Sequence, residues 1–77
     1  MNKVRRKALA GLQEQLEALK DELEALKEEE EEYRDNIPEN LQGSARYETA
    51  ESACDSLDSA IDGLEEVISS IEEARGE

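Results

Sequence analysis

The apolar residues in the first half of the chain recur at steps of three and four: Leu9, Leu12, Leu16, Leu19, Leu23 and Leu26, with the rhythm carried on through Glu30, Tyr33 and Ile37. Such a repeat is the a/d pattern of a heptad, and it predicts one amphipathic helix over residues 3–35. The same steps return in Tyr47, Ala50, Cys54, Leu57, Ile61, Leu64, Ile68 and Ile71, which predicts a second helix over residues 44–75. Ser44, after Gly43, is its expected N-cap. The stretch between them, "NIPENLQG" with its Asn, Pro and Gly, is the one turn, residues 36–43.

In an antiparallel hairpin, facing residues have numbers with a constant sum, and the two seams meet that condition along their whole length. Leu9 pairs with Ile71, Leu16 with Leu64, Leu23 with Leu57, and Tyr33 with Tyr47. The same register sets the flanking e positions Lys20 against Glu65, Lys27 against Asp58 and Arg34 against Glu51. Each exposed pair contributes about 0.2–1 kcal/mol, enough to select a register and too little to hold a fold. The expected fold is therefore all-α, an antiparallel two-helix hairpin forming a single domain over residues 1–77.

The second helix also carries Ala53, Ala60, Val67 and Ala74 at its g positions, so its apolar face is wider than one neighbouring helix covers. A second copy is the simplest partner, giving a homodimer of hairpins in a four-helix bundle. A parallel coiled coil through the first helix, with Glu22–Lys27 and Glu29–Arg34 pairs, is the rival and leaves the mirrored second helix unexplained.

Length makes the need for a partner sharper, because 77 residues bury little apolar surface and no staple is present. Cys54 is the only cysteine and there is no histidine, which removes disulfide frameworks and the usual zinc sites. No apolar run is long enough for a signal peptide or a membrane span, so no membrane contact is expected and a reducing cytoplasm is the expected location. The net charge of −13 disfavours direct nucleic-acid binding.

Candidate chemistry is sparse. The run Glu28–Glu32 places Glu30 inside the seam, where carboxylates of helical bundles hold metals, but the histidine that usually accompanies them is missing. "DSLDSAIDG" fails as a calcium loop, since Gly63 at the sixth position puts Ala60 at the third. Cys54 falls at a core position, as a small buried hydrophobe. No triad, phosphate loop or acid/base pair is present, and neither an enzyme, a cofactor nor a metal is expected.

Two basic features remain. Lys3, Arg5, Arg6 and Lys7 crowd a helix N-terminus, either as an anion site or to neutralise Glu72 and Glu73 at the end of the other helix. At the turn, Tyr33 and Arg34 mirror Arg46 and Tyr47. With the N–H groups from Gly43 and Ser44 onward, they form a candidate ligand site for a small anionic nucleotide. The plainer alternative is a pair of core-capping tyrosines, with the arginines bonded to Glu51 and Glu29.

The stretch "RDNIPENLQGSARYE", the helix "LEALKDELEALKEEEEEY" and the terminal "AIDGLEEVISSIEEA" together resemble a group of short proteins of unassigned activity encoded by phages and prophages of gut Firmicutes. The resemblance implies a helical hairpin and a phage or prophage origin, and supplies no reaction and no functional residues. By analogy of class, it suggests a non-catalytic, homo-oligomeric interaction protein acting on a host component, in the manner of a host-defence inhibitor. The alternatives are a sponge for a nucleotide immune signal at the turn end and an acidic nucleic-acid mimic that occupies a host protein's basic groove.

Overall fold

The computed structural model describes residues 1–76 and consists of two long helices, α1 (Lys3–Asp35) and α2 (Ala45–Arg75), packed antiparallel. Glu, Leu, Lys, Ala and Gln fill α1, all favourable helix formers. Asn2 caps it, its side-chain oxygen accepting the Arg5 N–H at 2.8 Å. At the other end the N–H of Asn36 donates to the carbonyl of Glu32 (3.0 Å) and that of Ile37 to Arg34 (3.2 Å). Pro38 has no N–H to continue the ladder and disfavours helical geometry at the residue before it, so α1 stops there. A short 3₁₀ turn, Glu39–Leu41, reverses the chain. Ser44 then caps α2 as the sequence predicts, accepting the Tyr47 N–H at 3.3 Å.

The register is the expected one. Lys20 lies 3.6 Å from Glu65, Lys27 bonds Asp58, and Gln13 Nε2 donates to Glu72 at 2.9 Å. These three contacts share one constant sum of residue numbers, so α1 and α2 stay in step over about four turns. The Asp58 hydrogen bond holds the Lys27 ammonium above its ordinary value. The contribution of this pair is thus fully present below the ordinary lysine pKa and is lost as pH rises through the raised one.

The roll of α1 about its own axis departs from a symmetric a/d seam. The most deeply buried apolar residues are Ile37, Ala50, Cys54, Ile61 and Ile68, four of them on α2. On α1, Leu9, Leu16 and Leu23 are half-buried, whereas Leu12, Leu19 and Leu26 remain 50 %, 50 % and 54 % exposed. The neighbouring e row is turned inward in their place: Gln13 is buried, and Lys20, Lys27 and Arg34 are half-buried. Lysine stems cover apolar surface while their ammonium groups reach the carboxylates of α2. Each leucine left half in water forgoes about 1 kcal/mol of burial.

The result is a rod of 59 × 14 × 12 Å with a radius of gyration of 17.5 Å, against about 11–12 Å for a compact domain of this length. A rod one core layer thick has little interior. This register makes Leu16 and Leu64 face each other. Leu16→Cys with Leu64→Cys in a Cys54→Ala background should therefore form an intrachain disulfide under mild oxidation, seen as a mobility shift without change of mass class. Bridging only between chains would instead reveal a hairpin opened and exchanged between copies.

Candidate functional site

The two tyrosines and two arginines around the turn are placed there by the hairpin itself. Tyr33 stands on the last turn of α1 and Arg46 on the first of α2, and the reversal brings them together. Arg46 Nε donates to the Tyr33 hydroxyl at 2.7 Å, and its guanidinium carbon lies 5.7 Å from the centre of the ring. Arg34 turns the other way and donates from Nε to Asp35 at 3.1 Å. The pairings of Arg34 with Glu51 and of Arg46 with Glu29, expected from the register, are replaced by these shorter-range contacts. An adjacent carboxylate and a phenol one layer away need less side-chain ordering than a partner across the helix pair.

The mirror in the sequence consequently becomes two separate surfaces. Tyr33 and Arg46 line a shallow groove with Glu30, Thr49 and Ala53. Tyr47 lines another with Gln42, Glu48, Glu51 and Asp55. Its three carboxylates oppose an anion. The helix-terminus donors are partly spent as well, since the Ser44 N–H donates to the Leu41 carbonyl (3.0 Å) and the Tyr47 N–H to the Ser44 hydroxyl. Gly43 is exposed in the turn. Within one chain, only the Tyr33–Arg46 half presents a cation beside an aromatic face, and Glu30 stands next to it.

At the open end, Lys3, Arg5 and Lys7 are exposed and Arg6 is half-buried, with its Nε shielded from solvent and without a hydrogen-bond partner among the described residues. Their expected neutralisation by Glu72 and Glu73 is not seen in the described ion pairs. Glu72 is held instead by Gln13, which also donates to Glu17 (3.1 Å) and accepts from Arg75 (2.8 Å). Gln13 is thus the buried polar hub of this end. The same e-row spacing that singles out Lys20 and Lys27 reaches it seven residues earlier, but a neutral amide is invisible to an argument from charge.

Cys54 is buried at 2 % exposure, and burial pushes its thiol pKa up, with the nearby Arg34 opposing. A thiol of this kind stays protonated at neutral pH and unreactive. Among the described residues, no group of three or more His, Cys, Asp or Glu side chains is arranged to hold a metal ion, and no helix is long and apolar enough to cross a membrane.

The remaining feature is an apolar face. Leu12, Leu19 and Leu26 recur every seven residues along α1, Tyr33 continues the row at 43 % exposure, and Val67 on α2 is 46 % exposed. Ala53 beside them is half-buried, while Ala60 and Ala74 are exposed. Comparison with protein-family models, with curated proteins and with solved structures finds no match to this chain.

Alkylation of Cys54 by iodoacetamide at pH 7.5 should be at least tenfold slower in the folded protein than in denaturant and should follow the opening of the helix pair. A rate equal to that of the unfolded chain would place the thiol at the surface. Arg46→Ala removes only an exposed contact worth at most about 1 kcal/mol, so its melting temperature should fall by no more than a few degrees.

Proposed function

We propose that this chain is a non-catalytic, homo-oligomeric helical interaction protein whose working surface is the apolar face flanked by Leu12, Leu19 and Leu26. The observation that carries this reading is that row of half-exposed leucines. Exposed leucines scattered singly are ordinary, but three on one line at seven-residue intervals, in a chain of −13 net charge, form a stripe suited to another helix. Origin in a phage or prophage, and action on a host component, rest on the resemblance described above.

A nucleotide sponge at the turn end is less favoured. It needs Arg34 and Tyr47 on the same side as Tyr33 and Arg46, and the fold of one chain separates them.

Sedimentation equilibrium tests the proposal. The wild-type protein should show an associating mass of at least twice 8.6 kDa, and Leu19→Glu with Leu26→Glu should reduce it to the monomer, because an unpaired carboxylate is costly to bury. A concentration-independent 8.6 kDa species would overturn the reading. Two copies of an acidic chain repel, so association through an apolar face should tighten as salt rises from 50 to 500 mM. An anion-binding site at the arginines would weaken over the same range.

A further inference from the structure

α1 carries its charge against its own dipole. Lys3, Arg5, Arg6 and Lys7 stand in its first turns, and no acidic residue precedes Glu14. Its last turns hold the run Glu28–Glu32. Backbone N–H groups at a helix start disfavour cations, and carbonyls at its end disfavour anions. The hairpin relieves neither end fully. Among the described residues none of the four cations is in an ion pair, and of the five glutamates only Glu31 has a cation close by, Lys27 at 4.0 Å. Arg34 and Arg46, the two arginines of the turn end, are bonded to Asp35 and to the Tyr33 hydroxyl.

The exposed leucines lie on the line that joins these two ends. Steps of seven from Arg5 pass through Leu12, Leu19 and Leu26 to Tyr33, and all five are exposed. A shallow groove lined by Glu22, Ala25 and Leu26 runs beside them. Leu19 is the centre of the row. A leucine stands seven residues to either side of it, a cation fourteen residues before it, and an aromatic ring beside Glu29 and Glu32 fourteen residues after it. Reversing the row about its centre therefore matches leucine with leucine and the basic end with the acidic one.

We infer that a second copy of this chain covers this face, its α1 antiparallel to the first and related by a two-fold axis at Leu19. This rests on the homo-oligomer reading and adds to it the helix, the direction and the register of the contact. Leu19 then meets its counterpart, Leu12 meets Leu26 of the other copy, and Arg5 meets Tyr33 beside Glu29 and Glu32. Lys3, Arg6 and Lys7 lie level with Asp35, Glu32 and Glu31 of that copy. The two-fold repeats this contact at both ends of the pair. The flanking row agrees: Gln15 falls opposite Glu22 of the other copy and Ala8 opposite Glu29, so no carboxylate faces a carboxylate there. Val67, exposed on α2 at the level of Leu12, comes level with Leu26 of the other copy.

Charge also sets the direction. A parallel pair in register would lay each basic start along the other and each run of five glutamates along its twin. Lys27 and Arg34, the cations such a pair would need across its flanks, are already engaged within the hairpin by Asp58 and Asp35. The end contacts act at short range against the long-range repulsion of two chains of net charge −13, so the dimer still tightens as salt rises.

The test uses the full chain. In a Cys54→Ala background, chains carrying Leu12→Cys mixed with chains carrying Leu26→Cys should form a disulfide-linked heterodimer under mild oxidation, told apart from homodimers by mass. Neither alone should bridge readily, since its two copies lie about 21 Å apart along the axis, beyond disulfide reach. Arg5→Glu should weaken dimerisation by about tenfold or more in sedimentation, and so should Glu29→Lys with Glu32→Lys, because each sets like charges together. Helix content per chain should be unchanged in circular dichroism below the dissociation concentration. An equimolar mixture of these two variants should recover a heterodimer of near wild-type affinity. The doubly substituted variant is less acidic overall, so relief of general repulsion alone would tighten its dimer, and a tighter dimer would overturn the contact between the ends. Strong bridging by Leu12→Cys alone would mean a parallel α1 pair and overturn the direction. A wild-type dimer in which neither the single chains nor their mixture bridge would overturn the α1 contact while leaving the homo-oligomer reading intact. A wild-type protein that is monomeric at all concentrations would overturn both.

Discussion

Two rods laid side by side touch along one line, and everything else in this molecule depends on how little that line can bury. A helix with a two-position seam is satisfied by a single neighbour. One with a three-position apolar face is not. Both helices here exceed a single seam, α1 through its a and d leucines combined with the stems of its e row, and α2 through its a, d and g positions. Contact between them covers some of these rows and leaves others in water.

The roll of α1 settles which. By turning the e row toward α2, the fold gains the contacts of Gln13, Lys20 and Lys27 with Glu72, Glu65 and Asp58 and loses half the burial of three leucines. Exposed ion pairs contribute little each, so as a monomer this is a poor exchange. It becomes sensible when the leucines have somewhere else to go. The thin core and the half-exposed leucine row on α1 are two aspects of the same limited burial.

The turn end shows how a symmetric pattern in sequence separates in space. Tyr33 and Tyr47 share a core layer, yet they lie on different helices and lean to different flanks. Arg46 then stacks by Tyr33, whereas Arg34 folds onto its neighbour Asp35. The mirror records two heptad patterns meeting at a reversal. Its chemistry is divided between a groove with one cation and a groove with three carboxylates.

Helix limits, the turn at Pro38, the Ser44 cap and the pairing register were all legible in the sequence. They depend on local backbone chemistry and on one-dimensional periodicity, and the opposed charges at Lys20–Glu65 and Lys27–Asp58 repeat the same information. The rotation of α1, the burial of Gln13 and the partners of Arg34 and Arg46 were not legible. Heptad letters assign residues to faces about 50° apart, and a roll of that size exchanges a leucine row for a lysine row at nearly constant pattern. Only the packing of two whole helices, with stem burial, ion pairs and leucine exposure balanced together, decides between them.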